Sequence, residues 1–382
     1  MTDVRPRRTR SVLALTFAAS VSLCGQAFAV QPRESMPVSE YEPAESLEGN
    51  FLSAYIAGAS RDTAAAASFY REAVKADPRN TDLAIQAYSD FDALMPRHPI
   101  VRDALDKLKA GKPLARLVTT AQEGAGEVLY GLGSAGSTQG DELPAVVYLR
   151  LALYLAPEHA LARLTLADTL DRMKQPEKAN EAYAQIPATS PLKLNADIQI
   201  GLNLEQAGKG DEALQYLDAA MKAHPDDIDI ITALGNVQRS RKKYEEAAET
   251  YSRAIALIGD RPQSNFWTTY YFRGTAYERA KQWPKAEADL KKALELVPAS
   301  QPAAKAQVLN YLGYSWVDQK INIDDAFKLL KQAADASPRD GMIVDSLGWA
   351  YFRLGRWDDA VRELEKAVEL KPGDPTINDH LG

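Results

Sequence analysis

Gly131-Leu132-Gly133-Ser134-Ala135-Gly136 has the spelling of a loop that cradles a dinucleotide phosphate. That chemistry needs the glycines between a strand and a helix N-terminus. No β-branched run precedes Gly131 and no α/β unit surrounds it, so nucleotide binding is rejected. Zinc would need ligands at short, regular spacing. His98, His159, His224 and His380 have no such partners, and the first three stand beside prolines, as turn residues do. The acidic pairs Glu245-Glu246, Asp324-Asp325 and Asp358-Asp359 could in principle do acid–base work. Each instead opens an apolar-periodic segment, where carboxylates meet the positive end of a helix dipole. Serines and aspartates follow no nucleophile-elbow spelling and form no Ser/His/Asp set. The chain therefore reads as non-enzymatic, with no catalytic residue, cofactor or metal.

The elements come from a ladder of residues repeated seven times between Gly126 and Asp374. A small residue is followed by alanine about 12 positions on, a bulky residue at 16, usually alanine at 19 and usually proline at 24. Gly201, Ala213, Leu217, Ala220 and Pro225 form the clearest copy. Gly133, Gly274 and Gly348 begin three more; Ala167, Gly235 and Gly313 begin looser ones. In these, Ile186 replaces the second alanine, Gly259 stands for the proline, and one extra residue enters between Asp318 and Asn322. A period of 34 or 35 residues marks stacked helical hairpins. The small residue lets the second helix approach, with its first alanine expected opposite. The bulky residue should fill the space between hairpins, and the proline should end the second helix.

These marks resemble the tetratricopeptide repeat family, most closely from Leu347-Gly348-Trp349-Ala350-Tyr351 to Pro372. The resemblance implies an all-α fold, a right-handed superhelical solenoid of antiparallel helix pairs. It also implies that first helices line a concave groove that binds a protein or extended peptide. Relative to each small residue, the exposed stripe falls three before and one, four and five after. The candidate contacts are Asn236, Arg239, Tyr271, Glu278, Arg279, Asn310, Tyr314, Asp345, Trp349, Phe352 and Arg353. Aromatics and arginine tend to anchor interfaces, and they concentrate toward the C-terminal end of this stripe. Thr232 stands where chaperone-tail binders of the family carry lysine, so that specialised role is rejected. The run Leu309–Gly382 is similar to bacterial cell-envelope repeat proteins, among them adaptors of carboxyl-terminal-processing proteases.

Composition fits an ordinary globular chain, with 25% charged and 46% hydrophobic residues. Residues 1–29 read as a signal peptide: Arg5, Arg7, Arg8 and Arg10, an apolar run from Val12 to Leu23, and Ala27-Phe28-Ala29 before the cleavage point. Leu23 before Cys24 is wrong for a lipoprotein signal, and the residues after Arg7-Arg8 do not follow the twin-arginine pattern. Cleavage would remove the lone cysteine, four arginines and one aspartate, taking the formal charge from −7 to −10. Such acidity argues against nucleic acid as a partner. No other segment is apolar and long enough to span a bilayer. The expected location is periplasmic or secreted, with any outer-membrane association made through partners.

The remaining boundaries are residues 30–46 as a flexible linker and 47–125 as an irregular helical lobe. That lobe holds one degenerate repeat (Ala54, Ala66, Tyr70, Ala73, Pro78). Seven repeats span 126–374, and 375–382 begin a further, truncated one. A non-catalytic periplasmic scaffold or adaptor is the expected function. The alternative is the docking portion of a larger envelope enzyme or secretion component whose other domain lies beyond residue 382.

Overall fold

The computed structural model describes Phe69, Ala73, Asp77 and residues 80–94, 97–114 and 118–382. The expected signal peptide, the linker and most of the degenerate repeat lie outside the described residues. Every described element is helical, with no strand among the described residues. The chain divides at Arg116/Leu117 into two compact units.

In the first unit, α1 (Thr81–Leu94) packs on α2 (Pro99–Lys109). Asn80 Oδ1 caps α1 by accepting from the Leu83 amide at 3.1 Å. Buried Val101, Ala104, Leu105 and Leu108 form one face of α2 at helical spacing. Gly111, at φ +69°, ends that helix just before Lys112-Pro113.

The second unit holds seven hairpins. They are α3 (Ala121–Gln139) with α4 (Glu142–Leu155), α5 (Ala160–Arg172) with α6 (Pro176–Ala184), and α7 (Lys193–Gln206) with α8 (Gly210–Ala223). Next come α9 (Ile228–Ser240) with α10 (Tyr244–Ile258), α11 (Trp267–Arg279) with α12 (Trp283–Leu296), and α13 (Pro302–Asp318) with α14 (Ile323–Ala336). Finally α15 (Gly341–Arg353) pairs with α16 (Trp357–Leu370), and α17 (Pro375–Leu381) follows. The all-α hairpin solenoid is as expected. The phosphate-loop spelling lies inside α3, where no strand–turn–helix corner exists.

The ladder is the core. Ala145, Ala179, Ala213, Ala247, Ala286 and Ala326 are all 0% exposed, and every bulky position from Leu149 to Leu364 is buried. One detail differs from expectation: the bulky residue itself, rather than the alanine, lies closest to the glycine. A Cβ added at Gly201 would come 2.5 Å from Leu217, and one at Gly348 2.7 Å from Leu364. Glycine lets the side chain one turn further along the second helix lie flat on the first. The alanine one turn earlier contributes closeness of backbone: the Ala286 carbonyl lies 3.2 Å from the position of a Cβ on Gly274.

The ends of the helices have local causes. Most second helices stop two residues before the ladder proline, as α8 does at Ala223 before Pro225. α6 is the exception, since Pro187 rather than Pro191 cuts it to nine residues. Three first helices, α9, α15 and α17, are entered through Pro-x-Asp: Asp227, Asp340 and Asp374 each accept two amides of the following turn through Oδ1. α3 begins at Ala121, inside what the boundaries above assign to the irregular lobe. Thr120 and Glu123 close a capping box there, with Glu123 N donating to Thr120 Oγ1 at 3.1 Å.

Another column binds the hairpins. Seven residues after each small position stands a residue with positive φ: Gly140, Lys174, Gly208, Lys242, Lys281, Lys320 and Gly355. From Lys174 onward the same pair of backbone bonds closes each turn, as where Lys281 N reaches Glu278 O and Gln282 N reaches Tyr277 O. A β-carbon in the left-handed region costs about 1–2 kcal/mol. Gly208→Val should therefore lower stability by about 1–2 kcal/mol, whereas Lys281→Gly should be neutral or stabilising. Thermal melts of the two variants check both.

Candidate functional site

First helices of neighbouring hairpins touch one another (α3 with α5, α7 with α9, α9 with α11, α13 with α15, α15 with α17), and second helices make no contact of that extent. Like helices meet on the inside of a curve, so the first helices form the inner face of this unit. The stripe read from sequence lies there, and its residues sort into two clusters and one outlier.

Asn236 is the outlier. Its Oδ1 accepts from the Tyr251 hydroxyl at 2.6 Å, a bond within one hairpin. Asp168 does the same for Tyr183 at 2.5 Å. A ladder tyrosine in place of leucine carries a buried hydroxyl, and the residue after the small position supplies its acceptor. Burial foremost, then the neighbouring carboxylate, pushes the Tyr183 phenol far above its ordinary value, and burial likewise raises Asp168.

The first cluster spans α9, α11 and α13. The Arg239 guanidinium lies 4.5 Å over the Phe272 ring. Tyr271 meets Tyr311 edge-on at 5.7 Å, and burial pushes its phenol up to about 12. Glu278 accepts from the Tyr311 hydroxyl at 3.0 Å and lies 3.4 Å from Arg279, which is exposed. Arg239 and Glu278 thus join each hairpin to the next through a residue two before the next small position. Sequence reasoning missed that column, although Phe272, Tyr311 and His380 all occupy it.

The second cluster spans α13, α15, α16 and α17. Asp345 is only 2% exposed, and both its oxygens lie 3.0 Å from His380 Nδ1. The His380 ring stacks on Trp349 at 4.3 Å, and Trp349 stacks on Phe352 at 4.8 Å. Phe352 meets Trp357 edge-on at 5.0 Å, and the Arg353 guanidinium lies 5.9 Å from the Trp349 ring. Tyr314 closes the far side, 6.5 Å from His380, with its phenol raised by burial first and by Asp318 and Asp345 after it. Phe352 (38%) and Trp357 (59%) are exposed, although no part of the stripe pattern marked Trp357. The Asn310 Oδ1 and Trp349 Nε1 atoms are buried without a hydrogen-bond partner in the protein. Groups of this kind are completed by water or ligand. Among the described residues no cluster of histidine, cysteine and carboxylates could hold a metal, and no helix is long and apolar enough to cross a membrane.

Models of the tetratricopeptide repeat match residues 126–159, 204–264, 267–300 and 345–374. These four segments are tetratricopeptide repeats. The matches miss α5–α6, most of α7, and α13–α14; α6 is cut short, and the α13–α14 turn carries one extra residue. Those hairpins fold like the rest, because their small, alanine and bulky positions are intact.

Relatives agree at the level of the repeat. A TPR repeat-containing protein of Pseudomonas aeruginosa is 29% identical over 229 residues, covering 58% of this chain and 36% of its own length. The BBSome complex member BBS4 of Bos taurus is 24% identical over 202 residues, covering 53% of this chain and 37% of its own. The chain thus spans little more than a third of either relative. Among solved structures, the APC/C hetero-tetramer Cut9–Hcn1 matches with a TM-score of 0.51 at 17% identity, covering 75% of this chain and 52% of that one. That likeness is one of fold.

Proposed function

We propose that this chain is a non-catalytic scaffold or adaptor of the periplasm that holds a protein or extended peptide along the inner face of its first helices. Protein–protein interaction is the work of tetratricopeptide repeats, and the finer reading rests on one observation. Where the inner stripe reaches α15, Trp349, Phe352 and Trp357 form a continuous aromatic stack flanked by Arg353, and two of those rings remain open. Interface hot spots have this composition. Asn236, Asp345 and Glu278 support the inner face through bonds to Tyr251, His380 and Tyr311, and the contact itself falls to the rings and Arg353. The periplasmic assignment is supported by the signal-peptide pattern of residues 1–29. Delivery of substrates to a carboxyl-terminal-processing protease is the narrowest form of the proposal, supported by the resemblance of Leu309–Gly382 to such adaptors.

Replacing Tyr314, Trp349 and Arg353 together with alanine should reduce capture of partners at least about tenfold while far-UV helicity is retained. The measurement is crosslinking in cells with a reagent confined to the periplasm, followed by mass spectrometry. Undiminished capture of the same partners by the variant would remove the groove from the proposal, and absence of any crosslink would remove the compartment.

A further inference from the structure

The outer face of α4 differs from every other second helix. Leu143, Val147, Leu151 and Tyr154 are 71%, 56%, 46% and 81% exposed. They recur at helical spacing directly opposite the buried Ala145, Leu149 and Ala152, so they form one stripe. The six sister helices provide an internal control. At the Leu143 position they carry Glu177, Asp211, Glu245, Pro284, Asp324 and Asp358. At the Val147 position they carry Glu181, Gln215, Glu249, Ala288, Lys328 and Arg362. Repeat architecture therefore does not require apolar residues at these columns, and six hairpins expose polar side chains at most of them. Contiguous exposed apolar surface of this kind marks an interaction site.

We propose that the outer face of α4 is the surface through which this chain pairs with a second copy of itself. An antiparallel pair with its two-fold axis at Val147 sets Leu143 against Leu151 of the partner subunit, and the reverse, so the stripe is complementary to itself. The same arrangement answers the one basic residue alongside. Arg150 would stand opposite the partner's Pro144, about 4.5 Å along the axis from the partner's Asp141, over that helix's acidic first turn. Arg150 is exposed, and α4 carries no acid after Glu142 to satisfy it within the helix. The area also suits a pair. Five side chains, the four of the stripe and the adjacent exposed Tyr148, offer roughly 100 Å² each, about 500 Å² per copy. A polar rim brings this toward the ~800 Å² per partner of a standard interface. A lipid surface suits the face less well, since the acidic turn at Asp141-Glu142 and the chain's net charge of −7 oppose anionic headgroups.

The test is sedimentation velocity on the full chain. Wild type should sediment as a dimer, and Val147→Lys, which sets two ammonium groups against each other at the axis, should weaken pairing at least about tenfold with unchanged helicity. In a Cys24→Ser background, Val147→Cys should form a covalent dimer on mild oxidation. Glu181→Cys, at the same column of α6, should not. A monomeric wild type, a dimer that survives Val147→Lys, or equal crosslinking at residue 181 would each overturn the proposal. So would a monomer that instead floats with phosphatidylglycerol vesicles, which would assign the face to lipid.

Discussion

Ala286→Arg is expected to destabilise the α11–α12 hairpin by about 3 kcal/mol or more. Ala286 is fully buried, and its carbonyl stands only 3.2 Å from where a Cβ on Gly274 would lie. A guanidinium there has two outcomes, and both are costly. Held inside, it sets a second cation beside Arg273, whose bidentate bonds already occupy the Asp289 carboxylate, in a seam otherwise formed by Leu290 and Ala293. Turned out, it levers α12 away from α11 and strands the surface that Leu290 covers. Overpacking alone accounts for about 1–3 kcal/mol, and the unpaired charge adds to it. Stability in a solenoid is summed over neighbours, so the loss should appear as a separate early transition in the thermal melt, centred on this hairpin and those beside it. Ala288→Arg is the control: two residues along, exposed on the outer face, it should change stability by less than about 0.5 kcal/mol. A melt of Ala286→Arg indistinguishable from wild type would mean that the ladder alanine does not face the core.

That alanine was readable from sequence because its requirement is steric and repeats. A position that must be small in every hairpin leaves a column, and columns survive without any structure. The proline that ends a helix is legible for a similar reason, and where two prolines compete, as at Pro187 and Pro191, the chain takes the earlier one. The left-handed turn residues form a column too, but of glycine and lysine together. Lysine carries no obvious turn signal, and its place there follows from the turn being closed by backbone bonds that any side chain permits at a modest cost. Thr120-x-x-Glu123 has the spelling of a capping box that the reading of the repeats passed over, and it sets the start of α3 more sharply than apolar periodicity could.

The candidate site was legible as a face and less so as a set of contacts. Helical spacing placed Trp349, Phe352 and Arg353 together, and they are together. It could not show that Asn236 is committed to Tyr251, since that bond depends on which residue fills a column on the opposite helix. Nor could it show that Asp345 is covered by His380, 35 positions on. Polar side chains on an inner face serve either neighbour or ligand, and only the third dimension distinguishes them.

Arg273 and Asp289 carry the other large expected effect, because an ion pair here replaces an apolar contact of the ladder. The residue before the small position is a buried Leu166, Ile200, Leu234, Leu312 or Leu347 in five of the other hairpins, and the exposed Leu132 in the sixth. In α11 it is Arg273, which donates from Nε to Asp289 Oδ2 at 2.6 Å and from a terminal nitrogen to Oδ1 at 2.7 Å. Asp289 is 5% exposed; burial drives its carboxyl above the ordinary value, and the guanidinium only partly offsets this. Arg273→Met keeps the packing of the stem and removes the cation, leaving a carboxylate buried alone. The expected loss is about 3 kcal/mol at neutral pH, as when one partner of a buried pair is removed. The pH dependence separates this from lost packing. A folded-state pKa raised above the unfolded value means that the folded form binds the proton more tightly. The variant's deficit should therefore be full above that raised pKa and shrink as pH falls through it, because a neutral carboxyl needs no counterion. Arg273→Met combined with Asp289→Leu should recover most of the loss at every pH, since two apolar side chains then fill the place of the buried pair. A deficit that stays constant across the carboxylate range, or a double variant no better than the single one, would place the cost in packing and leave the ion pair without a part in holding α11 to α12.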